Sequence, residues 1–326
     1  MGRRKIGRPL NGIMVIDKPI GLTSNAALQQ AKRLFFAQKA GHTGSLDPLA
    51  SGVLPLCFGE ATKFSQILLD SDKRYLATVR FGATTSTADA EGDFLSNVDT
   101  SQIDEERVKQ AMLNYKGAIE QLPPMYSALK HQGKPLHEYA RRGEEVERKP
   151  RKVTIHEFQL LDFRPGPKAE ADVEVFCSKG TYIRTLAEDL GKDLSVGAYI
   201  SALRRTAAGP FVEEQAIALA DLQEERGDGL AEVLDHHLLA VDAALQHLPS
   251  VELDTSAAHF FQQGQAVIVS GLYRFAEEND IVRVLQEVPQ SIEVSGMDES
   301  LSSRSRFLGI GEVTDDGRVT PRRLVV

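Results

Sequence analysis

From Ala40 to Gly59 the chain reads AGHTGSLDPLASGVLPLCFG, and Asp47 is the one formal charge in those twenty residues. At 26% charged residues overall, proportion would place about five there. A lone carboxylate in apolar surroundings costs free energy unless a cation or hydrogen bonds compensate it. Pro48 biases Asp47 toward an extended backbone, and Gly41, Gly44 and Gly52 permit tight turns around it. Two readings fit. One is a turn or capping aspartate, the common fate of an Asp-Pro pair. The other is a nucleophile or acid–base carboxylate in a half-buried loop. Composition alone favours the first somewhat; the surrounding motifs reverse that.

The elements that must position Asp47 follow from periodicity. Ile13 to Ile16 reads as a strand ending in the turn Asp17-Lys18-Pro19-Ile20-Gly21. Thr23 or Ser24 then caps a helix whose apolar positions are Ala27, Leu28, Ala31, Leu34 and Phe35. A helix is expected over about Ala61 to Leu69. Tyr75 opens the strand YLATVRF, with Tyr75, Ala77, Val79 and Phe81 on one face. A helix from about Asp104 to Lys116 has a capping-box-like start, Ser101 to Asp104, and Gly117 as its stop. Residues 123–152 are basic, rich in Gly and Pro and poor in aliphatics, and read as a mobile excursion from the core. Strands resume at Val153 to Phe163 and Ala171 to Cys177. The second face of the latter carries Glu170, Asp172, Glu174 and Phe176 and is expected to be largely solvated.

After Ser178-Lys179-Gly180 a helix is expected over about Thr181 to Leu190, stopped by Gly191. Arg184 falls in its first turn, where the helix dipole disfavours a cation. Either it pairs with Glu188 one turn on, or it serves an anion located there. Residues 213–247 look helical and acidic. Beyond Leu248-Pro249 the pattern turns to short strands at Ala266 to Val269, Ile281 to Leu285, Phe307 to Val313 and Arg318 to Val325. Asp316-Gly317 marks a hairpin turn. Gln286 to Arg306 is a polar, serine-rich loop, expected to be mobile.

The whole chain narrows the function classes. At 326 residues it is long enough for one large domain and a small one. No apolar run approaches the roughly 18 residues of a membrane span. The basic start MGRRKIGRPLNG lacks the apolar segment of a secretory signal. Two cysteines without a CxxC fit a reducing cytoplasm. Net charge is −8, but residues 1–210 hold 30 Lys+Arg against 25 Asp+Glu, while residues 211–326 hold 8 against 21. The first part is therefore +5 and the second −13, compatible with a local anion-binding face. There is no GxGxxG after a strand, no Walker-type GxxxxGK and no HExxH. Asp89, Glu91 and Asp93 have calcium-loop spacing, but Phe94 and Thr100 stand where Gly and Glu are wanted, so a solvated turn is the better reading.

These segments resemble the TruB-type tRNA pseudouridine synthases, which modify position 55 in the T-arm loop. The carriers are GHTGSLDPLASGVLP, then NGIMVIDKPIGLTS before it, EATKFSQILLDSDKRY after it, YSALK, SKGTYIRTLAEDLG and LRRT, all in family order. The terminal GIGEVTDDGRVTPRRLVV resembles the RNA-binding PUA domain. The resemblance implies an α+β fold: a mixed, largely antiparallel central sheet flanked by helices over 1–248, and a small β-rich PUA-like domain over 249–326. It implies Asp47 as the essential carboxylate, Tyr75 as the active-site tyrosine, Arg184 as the partner of the aspartate and Leu203 as an apolar wall. His42 would stack beside, or take the place of, the extruded nucleotide. Lys18 and Lys63 match lysines near the cleft, and 123–152 resembles a flexible thumb that closes on the RNA.

The expected reaction breaks a C–N glycosidic bond and remakes it as C–C, with no redox change and no cofactor. Asp47 would attack the sugar at C1′, attack the base at C6, or assist elimination through loss of the C2′ proton. The base must be flipped out of a folded loop, and Tyr75, His42 and Tyr182 are the available stacking partners in a chain without Trp; Tyr182 is expected rather to pack beside Arg184, and Tyr75 to stack on the base or to serve in a late proton transfer. Three rivals remain. A glycoside or nucleoside hydrolase needs two carboxylates, where the Asp47 segment supplies one. An RNA-folding protein would act by binding alone. A guide-RNA-dependent synthase shares the motifs but works with partner proteins, and the thumb-like segment argues against it. The expected substrate is the T-arm of tRNA, the expected state a cytoplasmic monomer without an obligate protein partner or a membrane.

Overall fold

The computed structural model describes residues 6–288 and 305–325. The chain opens with β1 (Gly12–Lys18), α1 (Ser24–Leu34), β2 (Ala40–His42), β3 (Ser51–Phe58), α2 (Ser65–Asp70), β4 (Lys73–Phe81), α3 (Glu105–Leu113) and β5 (Gly117–Gln121). A short hairpin, β6 (Lys130–His131) and β7 (Lys134–Pro135), leads into α4 (Leu136–Ala140). Next come β8 (Arg151–Arg164), β9 (Glu170–Cys177), α5 (Ile183–Asp193), β10 (Ala198–Ala208), β11 (Phe211–Val212), β12 (Ile217–Ala218) and α6 (Leu219–Arg226). The C-terminal part holds β13 (Ser250–Leu253), α7 (Thr255–Gln262), β14 (Val267–Ile268), β15 (Ile281–Glu287), β16 (Ser305–Val313) and β17 (Arg318–Leu324).

The fold is α+β. The main sheet runs in the order β12-β1-β3-β10-β4-β9-β8-β5, with β2 added to β3 and β11 to β10. Pairings are antiparallel except β1 with β12 and β3 with β10. Along β4, Lys73, Tyr75, Ala77, Val79 and Phe81 turn inward, as a period of two requires. Tyr75, Ala77, Val79 and Phe81 share one core with Ala171, Val173 and Val175 of β9 and with Leu186, Ala187 and Leu190 of α5. Each fully buried aliphatic side chain there contributes about 1.5–3 kcal/mol. α1 lays Ala27, Leu28 and Ala31 on the same core. Its cap is Thr23, which accepts from Ala26 N at 3.1 Å.

The outer face of β9 is a row of ion pairs, where solvation was expected. Arg74 meets Glu174 at 2.8 Å and Glu157 at 2.7 Å, Arg164 meets Asp172 at 2.6 Å, and Arg80 pairs with Glu170. Exposed pairs of this kind are worth about 0–1 kcal/mol each.

Other departures have local causes. α5 runs through Gly191, because a Cβ there would lie 2.3 Å from Ala198 N; glycine permits the close approach of helix to β10. The cap of α3 is Asp104, accepting from Arg107 N at 2.8 Å, and not Ser101. Of residues 213–247, only α6 is α-helical. Ile217 and Ala218 are drawn into a parallel pairing with β1, and 3-10 turns cover Glu213–Gln215, Ala231–His237 and Ala243–Leu245. The segment 123–152 contains the β6–β7 hairpin and α4, anchored by buried Leu136.

The C-terminal part forms its own sheet, β13-β15-β16-β17-β14, over a separate core that includes Val251, Phe261, Val284, Leu308 and Val319. Gly317 has φ +76°, as the Asp316-Gly317 turn requires. A seam joins this core to the main sheet, where Phe64 lies 5.5 Å from Phe307 beside Leu245 and Ile310. Most of the serine-rich loop, residues 289–304, lies outside the described residues.

Candidate active site

The Asp47 loop is clipped to its neighbours by backbone hydrogen bonds. Leu46 N donates to Ser24 Oγ at 2.7 Å, and the same hydroxyl is 3.1 Å from Leu46 O. Gly21 N donates to Pro48 O at 2.8 Å, and Ala50 N to Asp47 O at 3.0 Å. Thr43 binds Pro55 O through both its amide and its hydroxyl, each at 3.2 Å. Gly52, at φ +103°, lets β3 reach β10: a Cβ there would lie 2.2 Å from Arg205 O. Asp47 is thus held on a fixed backbone.

Arg184 reaches Asp47 across this frame. Its Nε lies 2.9 Å from Asp47 Oδ2, while Nη1 and Nη2 donate to Thr87 O and Tyr126 O, both at 2.9 Å. Nη1 is also 3.6 Å from Asp89 Oδ2. Glu188 pairs with Lys192 instead, at 3.5 Å, so the first-turn cation does serve an anion. Asp89 overturns the expectation of a solvated turn: its side chain is 4% exposed. Thr87 Oγ1 donates to it at 2.5 Å and Glu91 N at 3.1 Å, and Ala90 N fixes the loop to Ile200 O at 2.9 Å.

Electrostatics follow from this placement. Burial raises the Asp47 pKa above the ordinary carboxylate value; Arg184 opposes the rise, Asp89 adds to it and Lys18 opposes it. Although the side chain is 41% exposed toward the cleft, protein surrounds its remaining sides.

Two clefts share Asp47 and Arg184. One, of about 310 Å³, is lined by Tyr75, Tyr182, Leu203 and Arg205 among others. Tyr75 on β4 sits opposite Arg205 on β10 and is 9% exposed. Burial pushes its phenol pKa up, and Arg205 pulls against that. Tyr182 precedes α5, its amide donating to Gln121 Oε1 at 3.0 Å. The other cleft, of about 410 Å³, is lined by His42, Asp89, Tyr126, His137 and Arg141. Burial lowers the His42 pKa, which favours the uncharged imidazole.

The two lysines separate. Lys18 is fully buried beside the Asp47 loop and donates to Pro19 O at 2.8 Å and Leu22 O at 2.6 Å. Burial lowers its pKa to about 8. Lys63 is directed elsewhere: it pairs with Glu60 and donates to Leu324 O at 2.9 Å, tying the main sheet's flank to β17. Asp89, Lys73 and Arg205 are site residues that the sequence reading did not single out. Arg205 had a signal in the LRRT motif and Lys73 in SDKRY; the calcium-like spacing of Asp89 misdirected. Glu225, His236 and His237 bring ligand atoms within 4.8 Å of one another, away from both clefts, and a 2.6 Å contact between His237 and Glu225 accounts for the arrangement.

The geometry places the Asp47 carboxylate against a buried guanidinium at the junction of a cleft of about 310 Å³ and a wider groove. Residues 32–183 match the TruB family pseudouridylate synthase N-terminal domain, residues 184–246 the tRNA pseudouridylate synthase B C-terminal domain, and residues 286–325 the C-terminal model of pseudouridine synthase II TruB. A tRNA pseudouridine synthase B from Saccharophagus degradans is 56% identical over 326 residues, covering 100% of this chain and 99% of that one. Its counterpart from Pseudomonas aeruginosa is 49% identical, covering 99% and 98%. Among solved structures, a Cbf5-Nop10-Gar1 complex aligns with a TM-score of 0.68 at 26% identity, covering 96% of this chain and 84% of that one. Identity of this extent, sustained from end to end, carries one conclusion: the chain belongs to the TruB family of pseudouridylate synthases.

Proposed function

We propose that this protein converts uridine to pseudouridine at position 55 in the T-arm loop of tRNA. It does so by flipping the target base into the 310 Å³ cleft and using Asp47 as the essential carboxylate. The observation that carries the proposal is the 2.9 Å contact between Arg184 Nε and Asp47 Oδ2 at the mouth of that cleft. The relatives from Saccharophagus degradans and Pseudomonas aeruginosa bear the name tRNA pseudouridine synthase B, which supports tRNA as substrate.

The residues divide the work. Arg184 keeps Asp47 charged, so that it acts at C1′, at C6 or on the C2′ proton. Tyr75 and Leu203 wall the base and exclude water while the detached uracil turns. His42, beside Asp47 in the wider groove, fills or borders the place the nucleotide leaves. Lys18 positions the turn at 18–22 against the Asp47 loop through its two carbonyl contacts. Residues 1–248 form the catalytic domain, with 123–152 as the thumb; 249–326 form a PUA-like RNA-binding domain. The reaction exchanges a C–N bond for a C–C bond with no net redox change and no energy input, so no cofactor is proposed. The protein works in the cytoplasm as a monomer, without the partners in the Cbf5-Nop10-Gar1 complex.

A hydrolase would need a second carboxylate placed to act on the sugar. Asp89 is near, but it is 4% exposed and committed to Arg184 and Thr87. The test is purified protein with unmodified tRNA transcript and no cofactor, assayed for pseudouridine at every uridine. Modification at position 55 alone supports the proposal. Release of free uracil would favour a hydrolase, and binding without product would favour an RNA-folding protein.

A further inference from the structure

Arg205 is the largest of the fully buried side chains, at 1% exposure, and it lines the cleft of about 310 Å³. Its Nε donates to Val53 O at 2.7 Å, but Nη2 is buried with no hydrogen-bond partner. Among the described residues no carboxylate lies within salt-bridge distance of it. A buried cation without a counter-ion is costly, and its neighbours compound the cost. Lys73 is 7% exposed and lines the same cleft; Lys18 is fully buried. Both lysines escape by donating to backbone carbonyls, Lys73 to Leu68 O at 3.1 Å and Leu69 O at 2.8 Å. Arg184 is 4% exposed and already balanced by Asp47 and Asp89. Asp17, Asp47 and Glu91 also act on Lys18, and Asp70 and Asp72 on Lys73. Of the four buried cations Arg205 is the one that has neither a carboxylate in contact, among the described residues, nor all its N–H groups bonded. Strain of this kind persists where the missing partner arrives with the substrate.

We propose that Arg205 stabilises the negative charge that collects on the uracil ring during the reaction. This rests on the proposed function above. When the bond from N1 to C1′ breaks, its electron pair stays on the base and spreads over N1, O2 and O4. If Asp47 adds at C6 first, the ring carries an enolate over C5 and O4 before that bond breaks. Either way the base is anionic until C5 bonds to C1′, which expels Asp47 from C1′ if it was bound there. An Asp47 bound at C6 leaves with its bonding pair as the C5 proton is lost and the C5=C6 bond is restored, and N1 is protonated. A guanidinium held dry beneath the base, cross-strand from Tyr75, favours that anion over the neutral ground state. It needs no reorganisation to do so. Arg205 is therefore an electrostatic stabiliser of the departing base, distinct from Arg184, whose charge is spent on Asp47.

The experiment is single-turnover kinetics of Arg205→Met and Arg205→Lys at saturating RNA. Two T-arm stem-loops are compared, one with uridine and one with 5-fluorouridine at the target. Fluorine withdraws electrons and stabilises the ring anion by itself, so dependence on Arg205 must shrink. With uridine, Arg205→Met loses about 100-fold in rate and Arg205→Lys less, with RNA affinity within threefold of wild type. With 5-fluorouridine, measured as consumption of the starting RNA, the loss falls by at least fivefold. Should Arg205→Met fail to fold, the smaller loss in Arg205→Lys must shrink in the same way. Equal losses on both RNAs would make Arg205 a structural residue and overturn the proposal. A defect confined to affinity, cured at saturating RNA, would assign it to a phosphate and overturn it equally. Asp47→Asn, run in parallel, separates these outcomes from failure of the proposed function: it must be inactive on both RNAs whatever Arg205 does.

Discussion

Arg184 Nε stands 2.9 Å from Asp47 Oδ2, and the same guanidinium holds two backbone carbonyls, so the cation cannot swing away from the carboxylate. On the proposed function Asp47 acts in its charged form, so activity should be present above its pKa and lost as pH falls through it. Burial already raises that pKa, and Arg184 restrains the rise. Arg184→Met therefore moves the acid limb of the single-turnover profile to higher pH and lowers the neutral rate by about 100-fold or more. Arg184→Lys keeps the charge but loses the planar fork, and falls between. An Arg184→Lys profile identical to wild type in limb and rate would place Arg184 outside the chemistry.

Asp89 backs Arg184 from the other side, at 3.6 Å from Nη1. Asp89→Asn retains an acceptor for Thr87 and Glu91 N but removes the charge. The expected result is a loss of about tenfold or more in single-turnover rate, or at least about 1.4 kcal/mol, with tRNA affinity unchanged. A wild-type rate would show that Arg184 needs only its backbone contacts.

What the sequence disclosed was local. Asp47 stood out because its twenty-residue surroundings hold no other charge, and Arg184 because a first-turn cation is unfavourable without an anion. The strands of β4, β9 and the C-terminal sheet were legible from alternation. Asp89 was not, because its partner Arg184 is distant in the chain and its own neighbours Glu91 and Asp93 look solvated. β10 was hidden by Arg204 and Arg205, charges in mid-strand whose partners are distant in the chain or outside the strand: Arg204 meets Asp17 of β1 at 3.0 Å and Glu213 of the following 3-10 turn at 2.9 Å, and Arg205 donates to Val53 O of β3 at 2.7 Å. Residues 213–247 read as helix by composition, but the edge of β1 takes Ile217 and Ala218 as a strand.

Gly52 links the Asp47 loop to β10. At φ +103°, with Arg205 O 2.2 Å from the position of a Cβ, Gly52→Ala is strained in both conformation and space. It should destabilise the protein by about 2 kcal/mol or more, read from urea unfolding. A change within about 0.5 kcal/mol would mean that the two strands part easily.

RNA binding should follow the free charges of the thumb. Arg141 lines the wider groove, whereas Arg148 donates to Pro123 O at 3.0 Å and pairs with Glu145 at 3.1 Å, which makes it structural. Arg141→Glu should weaken tRNA binding several-fold and reduce its salt dependence. Arg318→Glu, at a residue paired with Asp316 at 3.2 Å, should do less. Equal effects in a filter-binding titration across salt would count against closure of the thumb on the RNA.

The central claim is that Asp47, ionised by Arg184, carries the isomerisation without a cofactor. The direct measurement is single turnover of purified wild type and Asp47→Asn on unmodified tRNA transcript, with pseudouridine read at position 55 and affinity measured in parallel. The account predicts product from wild type alone and a variant Kd within about tenfold, or 1.4 kcal/mol. Pseudouridine formed by the pure variant at a near wild-type rate would contradict it.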